Sequence, residues 1–382
     1  MVFDYWFHKN FSKPEERCKY SSRYWQDNRI LIMDAGGIGD LVMATPLLRA
    51  LRERFKKSHI TLLVVPRAAE AVKKLPYFDE LIEFDIGNRL ESLRLLWRLR
   101  RRRFDMMIDL QAIESWPAAL RRMLLYLIVN PRIKVGRNTD HRGFFLDIKV
   151  PEDFLGTVHE VERKLSIANA LGAEVAVPNC FNRTNVELKF KLSESDRASV
   201  EAFLDEHGIE DGQFMVGLNP GSFLPTRRWD KNRFIEIGRR VASKYEAQLI
   251  ITGGNREKTL IREIAESLQD TVPIEATEFT LGELAALLRR INLFITNDTG
   301  PMHIAAAVGT PIIAIFGPEN YHRYRPYSKS FNRVVAISPI SCRPCRKFDC
   351  KSHECMKAVS IGMVWEAVES AISYAKQQRR ST

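Results

Sequence analysis

Twice along this chain, a run of apolar residues too short for a buried helix leads straight into a turn of small residues and then into a segment of helical period. The first is Ile30-Leu31-Ile32-Met33, then Asp34-Ala35-Gly36-Gly37-Ile38-Gly39-Asp40, then Leu41–Phe55 with Leu41, Leu47, Leu48, Leu51 and Phe55 spaced as on a helix. The second is Phe214-Met215-Val216-Gly217-Leu218, then Asn219-Pro220-Gly221-Ser222, then Phe234–Lys244. A short apolar run bounded by glycine and followed by helical spacing reads as a buried parallel strand feeding a crossover helix. Two openings of this kind predict two α/β units in tandem, which suits 382 residues at about 100–200 per domain.

Further segments continue both series. Strands are expected at 60–65, 80–84, 104–110 and 133–136, with helices at 68–75 and 90–103. In the second unit, strands are expected at 248–252, 293–296 and 311–316, with helices at 257–268, 281–289 and 302–308. The join is expected near residues 176–190. The division is an extension over residues 1–28, a first Rossmann-like unit over 29–180, a second over 181–360, and a last helix within 361–382. Strands alternating with helices mean doubly wound parallel sheets.

Such sheets bind ligands beyond the carboxyl ends of their strands. Three loops qualify: 34–40, 219–229 and 297–303. In the third, Asn297-Asp298-Thr299-Gly300-Pro301-Met302-His303, Thr299 can cap a helix and Pro301 suits its first turn. The amide end of that helix suits a diphosphate, and Gly300 admits close backbone approach. An ordinary strand-to-helix turn has the same sequence. The second loop carries Ser222, Thr226, Arg227, Arg228 and Trp229. Adjacent guanidinium groups can hold phosphate oxygens bidentately, or can simply be solvated. The first loop is neither G-x-G-x-x-G nor a P-loop, so a dinucleotide dehydrogenase is weakly supported. Asp40 either serves the helix start as an N-cap carboxylate or faces the cleft as a base, with the helix N-terminus lowering its pKa.

Lys+Arg of 58 against Asp+Glu of 47 gives a net charge of +11, which attracts anionic partners. The densest basic run is Trp97-Arg98-Leu99-Arg100-Arg101-Arg102-Arg103, with Arg121, Arg122, Lys134, Arg137 and Arg142 in the same half. It is either a solvated helix face or a contact for anionic lipid. Nucleic acid is not expected, because no known binding module is visible. No apolar run approaches the ~18 residues of a membrane span. Met1–Trp6 lacks a basic start followed by an apolar stretch, so the cytoplasm is the expected compartment. Residues 1–28 mix aromatic and basic residues and read as an extension packed on the body, or as a membrane-surface segment. Cys342, Cys345, Cys350 and Cys355 fall within a basic stretch near His353. As thiolates they could hold a structural zinc or iron; otherwise they are free thiols or redox disulfides.

The three loops in this order resemble the ADP-heptose:lipopolysaccharide heptosyltransferases, an inverting glycosyltransferase family (family 9). The resemblance rests on Gly36-Gly37-Ile38-Gly39-Asp40 with Ala44–Leu51, on Asn219-Pro220-Gly221-Ser222 with Arg227-Arg228-Trp229, and on Asp298–Ala307 with Gly309-Thr310-Pro311 and Phe316-Gly317-Pro318. His159-Glu160-Val161-Glu162-Arg163 is similar to a further family feature. The resemblance implies a GT-B fold, two Rossmann-like domains facing an interdomain cleft, with the last helix packing back on the first. It implies transfer of a heptose or related sugar from an ADP-activated donor to a lipopolysaccharide core, with no cofactor required for catalysis. By the family pattern Asp40 is the general base, Arg227 binds phosphate, and Asp298, Thr299, Gly300 and His303 contact the donor; Ser222, Thr226 and Arg228 of the second loop are expected to join them. Gly39, Arg142, His159 and Arg163 are the corresponding acceptor residues. The acceptor implies a peripheral enzyme on the inner face of the inner membrane. The competing readings are a nucleotide-sugar epimerase or hydrolase on the same fold, and a non-catalytic nucleotide-binding assembly protein.

Overall fold

Apolar runs become strands here because both faces of each sheet are covered. In the computed structural model, which describes residues 28–85, 87, 89–173, 186–337, 340–345 and 347–380, Ile30 and Ile32 look to one side of the first strand. Leu31 and Met33 look to the other, and all four are buried. The first unit runs β1 (Arg29–Asp34), α1 (Ile38–Arg54), β2 (His59–Val64), α2 (Pro66–Lys73), β3 (Glu80–Glu83) and α3 (Arg89–Arg101). It continues through β4 (Met106–Asp109), α4 (Trp116–Val129), β5 (Ile133–Thr139), β6 (Ile148–Glu152) and α5 (Glu160–Ala170). The second runs α6 (Glu194–Glu206), β7 (Met215–Asn219), α7 (Lys231–Tyr245), β8 (Gln248–Thr252), α8 (Lys258–Ser267), β9 (Ile274–Ala276) and α9 (Leu281–Arg290). It ends with β10 (Leu293–Asn297), α10 (Gly300–Val308), β11 (Ile312–Phe316), α11 (Tyr321–Tyr324), β12 (Asn332–Ala336), α12 (Glu354–Lys357) and α13 (Ile361–Arg380).

Each unit holds a six-stranded sheet, ordered β3-β2-β1-β4-β5-β6 and β12-β11-β10-β7-β8-β9. All pairings are parallel, for example Ile30 with Ile60 and Met106, and Val216 with Leu249 and Leu293. The two orders are the same when each unit is numbered from its own first strand. Both reverse direction beside that strand, between β1 and β4 and between β7 and β10. That reversal opens a crevice at the strand ends. This is the GT-B arrangement.

Six layers result. Leu95 and Leu99 of α3 and Tyr126 and Val129 of α4 cover the outer face of the first sheet. Helices α1, α2 and α5 cover its inner face and join α9 and α10 of the second unit in one continuous apolar core. Residues 41–48 of α1 are all buried, as expected of a helix with packing on every side. The outer face of the second sheet is covered by α7, α8 and α13. One expectation differs: the described side chains of α13 pack on the second unit, not back on the first. Val364, Ala367, Val368, Ala371 and Ile372 join Val216, Trp229 and Phe234 in the second unit's outer core, and Glu369 pairs with Lys244 of α7 at 2.6 Å. Its apolar stripe is consumed by its own sheet.

The expected extension over residues 1–28, apart from Asn28, and residues 176–185 of the expected join lie outside the described residues, as do Cys18 and Cys180.

Candidate active site

The carboxyl ends of both sheets meet around a cavity of about 420 Å³, within the range of small-molecule sites. Loops after β1, β4, β7, β10 and β11 all reach it. Asp40, Gly39, Ser222, Arg227, Asp298, Thr299, Gly300 and His303 line it together. The acidic residue of the first unit and the two loops of the second therefore share one space.

Asp40 sits at the third position of α1, not at its cap. Gly37 holds the cap position, and its N–H donates to Asp40 Oδ2 at 2.9 Å. The sequence reading expected the helix end to lower the Asp40 pKa, but the structure reverses this. Burial raises it above the usual 3.8; Lys164 pulls it down, Asp34 and Glu160 push it up, and the Gly37 amide lowers it last. A raised pKa makes a stronger base, provided the group is ionised at the working pH. Lys164, on α5, is fully buried and paired with the buried Asp34 at 2.8 Å. Asp34 also accepts from the Gly36 amide at 2.9 Å and from Gln111. These ends of β1 and α5 thus fix the turn that carries Asp40.

Across the cavity, Thr299 takes the cap position of α10 but makes no capping hydrogen bond with its side chain, contrary to expectation, and Pro301 occupies the first turn. The amide end of α10 therefore faces the cavity without a side-chain acceptor of its own, carrying the partial positive charge of a helix start. His303 is buried there. Burial, and then Arg227, push its pKa down to about 4, so the imidazole is neutral at pH 7. Its Nδ1 has no hydrogen-bond partner.

Arg227 is not the bare cation its sequence suggests. Its guanidinium pairs with Asp298 at 2.9 Å and with Glu319 at 2.6 Å. Glu319, from the loop after β11, is a cavity residue that sequence reasoning missed, as are Gln111, Arg67, Arg323 and Tyr324. Ser222 bonds the Asp298 carbonyl at 3.4 Å. Asn297 shapes the loop around it, donating to the Pro220 carbonyl at 2.8 Å and accepting from the Trp229 amide at 3.0 Å.

Two donor expectations and three acceptor expectations lie off the cavity. Thr226 is buried and donates to the Lys347 carbonyl at 2.7 Å. Arg228 holds the Ser222 carbonyl at 3.0 Å and approaches Glu257 at 3.5 Å. Both brace the loop from outside the cavity lining. Arg142 binds the Ile113 carbonyl and Asp140, each at 3.1 Å. His159 caps α5 through Nδ1, and its Nε2 meets the Arg325 carbonyl at 2.8 Å. Arg163 directs its nitrogens to the Val158, Asp153 and Gly156 carbonyls and to Glu152. Its donors are spent inside the first unit. Around it lies a buried cluster of Arg137, Glu152, Glu160 and Arg323, the last reaching over from α11 to Glu160 at 2.8 Å.

In the cysteine segment, the metal reading finds no support. Among the described residues no three His, Cys, Asp or Glu side chains group to hold a metal ion. Cys342 is exposed, Cys345 and Cys350 are half-buried and Cys355 is buried, all as free thiols. The segment is fastened by hydrogen bonds instead, from the Cys345 amide to the Pro318 carbonyl at 2.8 Å and from His353 to the Thr226 carbonyl at 2.7 Å.

The two units touch at Gly39, where an added Cβ would stand 2.5 Å from His303 Cδ2. Gly39→Ala is expected to lower stability by about 1–3 kcal/mol through overpacking and to slow turnover by wedging the walls apart. Thermal unfolding of Gly39→Ala, His303→Ala and the double variant checks this. Additive effects in that cycle would disprove the clash.

A sequence profile of Glycosyltransferase family 9 (heptosyltransferase) matches residues 92–356. The chain belongs to glycosyltransferase family 9. It is 27% identical over 343 residues to the lipooligosaccharide heptosyltransferase 2 of Campylobacter jejuni, covering 88% of this chain and 95% of that one. A family 9 glycosyl transferase from Veillonella parvula superposes with a TM-score of 0.67 at 28% identity, covering 81% of this chain and 86% of that one. The E. coli ADP-heptose lps heptosyltransferase II superposes with a TM-score of 0.68 at 20% identity, covering 91% and 99%. The family 9 chain is thus a glycosyltransferase, and its relatives align with both units.

Proposed function

We propose that this family 9 glycosyltransferase moves a heptose, or a closely related sugar, from an ADP-linked donor to a lipopolysaccharide core acceptor, with inversion. Its expected place is the cytoplasmic face of the inner membrane, where such an acceptor is presented. The names of its relatives supply the donor and acceptor classes. The observation that carries the reading is the placement of Asp40 on one wall of the cavity and the open amide end of α10 on the other.

Inversion needs an acceptor oxygen to approach the anomeric carbon from the side opposite the leaving diphosphate. Asp40 takes the acceptor hydroxyl proton as that oxygen forms its bond to the sugar. The bond to the diphosphate breaks, and its growing negative charge meets the Thr299–Gly300 end of α10, the neutral His303 and Arg227. Groups already aimed at that charge stabilise the transition state more than the ground state. Arg227 reaches the phosphate by loosening its hold on Asp298 or Glu319, so donor binding and the internal ion pairs compete.

The test is a donor screen that reads released nucleoside diphosphate with and without truncated lipopolysaccharide. ADP release that depends on acceptor, with a sugar-extended glycolipid by mass, is the expected result. Donor consumed equally without acceptor would make the protein a hydrolase or epimerase. Donor bound but never consumed would make it a binding protein.

A further inference from the structure

Helix α4 is apolar on two opposite sides. Tyr126 and Val129 pack on the first sheet, and Ala119 is buried. Trp116, Leu120, Leu124 and Leu127, spaced four, four and three apart, form a second stripe turned to solvent, which is the spacing of one helix face. Trp97 of the adjoining α3 and Phe144 beside Trp116 extend it; these six side chains are 49–59% exposed. Of the thirteen large apolar side chains exposed among the described residues, eight lie on α3, α4 or at Phe144. Scattered exposed apolar residues need no explanation, but a contiguous patch does.

The rim of the patch is basic. Arg94, Arg98 and Arg101 of α3 and Arg121 of α4 are exposed, and the Arg101 guanidinium lies 3.4 Å from the Trp97 ring centre. Glu83, Asp85 and Glu91 lie toward the start of α3, beside Arg94 and Arg98, and Glu114 lies beside the cavity, so the acidic residues sit at the ends of the patch and the arginines along it. Tryptophan and leucine ringed by arginine suit the headgroup boundary of an anionic bilayer. No helix among the described residues is long and apolar enough to cross a membrane, so the contact is to a surface. The patch also begins at the mouth of the cavity: Glu114 lines the cavity, and Trp116 opens the stripe two residues later.

We propose that the outer faces of α3 and α4 dock the enzyme on an anionic lipid surface, with Trp97, Trp116, Leu120, Leu124 and Leu127 entering the headgroup region. This deepens the reading of a lipid-borne acceptor. Its test uses no sugar donor or acceptor, so either idea can fail alone.

The full chain is sedimented with vesicles of phosphatidylcholine, and with vesicles of equal parts phosphatidylcholine and phosphatidylglycerol. Binding to the anionic vesicles alone, weakened by salt, is expected. Leu120→Ser with Leu124→Ser is expected to weaken it about tenfold or more, and Arg94→Ser with Arg98→Ser by a similar factor. Unchanged near-ultraviolet circular dichroism shows that each variant is folded. Equal binding to both vesicle types overturns the proposal. So does binding that survives both double variants, which moves the contact elsewhere, for instance to the basic and aromatic residues 1–27. A wild-type dimer that the leucine variants convert to monomer, with no vesicle binding, overturns it too and assigns the patch to a second copy.

Discussion

Asp40→Asn is expected to cut turnover by about 10²–10⁴-fold, the range of a positioned general base, while nucleotide affinity stays nearly unchanged. The substitution keeps the shape of the side chain, and an amide oxygen can still accept from the Gly37 N–H that Asp40 holds at 2.9 Å. The helix start therefore survives while the proton acceptor is lost. If Asp40 is the base, as proposed, the wild-type reaction requires it ionised. Because burial, with Asp34 and Glu160, raises its pKa above 3.8 against the pull of Lys164 and the Gly37 amide, the acid limb of kcat/KM belongs above the ordinary carboxylate range. Activity rises with pH through that limb. Steady-state kinetics over pH, with nucleotide binding by calorimetry, separate the effects. Near-normal turnover in Asp40→Asn removes this residue from the role of base, whatever the binding data say.

Arg137→Met is expected to be the most damaging single change to the fold, by about 3–5 kcal/mol. Arg137 is buried, with its side chain 1% exposed, and it pairs with Glu152 and Glu160, themselves buried. It also donates to the Leu110 carbonyl at 3.1 Å. Removing it leaves two carboxylates in the interior with less countercharge. The pH dependence carries the signature. Burial works against ionised Glu160, but Arg137, Arg323 and Lys164 outweigh it and hold its pKa well below 4.5. A depressed carboxylate contributes stability above its unfolded pKa and loses it as the pH falls. The deficit of Arg137→Met is therefore full at neutral pH and narrows below about pH 4.5. Thermal unfolding at neutral and acidic pH measures both points. Restoration of part of the loss by adding Glu160→Gln confirms the unpaired charge, and an unchanged midpoint at neutral pH rules it out.

The strands that the sequence announced are those covered on both faces. β1, β7, β10 and β11 are uninterrupted apolar runs, and each was placed to within about two residues of its observed bounds, the usual blur of element ends. Of the four edge strands, β3 was expected at 80–84 and the other three were silent. β6 reads Ile-Lys-Val-Pro-Glu, β9 has three residues, and β12 mixes Asn and Arg with valine. α4 escaped notice because its two apolar stripes cancel the one-sided period that marks a surface helix. Among the cavity residues, Asp40 and the Thr299–Gly300 turn were legible as candidates because turn chemistry is local. The partners of Arg227 were not: Glu319 lies 92 residues away, and nothing in the sequence ties a charge to a countercharge at that range. The internal partners of Arg163 and His159 were equally hidden. The direction of the Asp40 pKa failed for a related reason, since burial with the charges of Asp34 and Glu160 overrides the Gly37 amide and Lys164.

The arginine that α11 sends to Glu160 ties the inheritance of the two lobes together. A chimaera joining the first lobe of this protein to the second lobe of a relative without Arg323 would leave Glu152 and Glu160 short of a cation. The reciprocal hybrid would bring a guanidinium to a place with nothing to receive it. Donor preference can therefore be transplanted between such enzymes only if this trio travels with the lobe, which makes the lobes poor interchangeable parts despite their matching topologies.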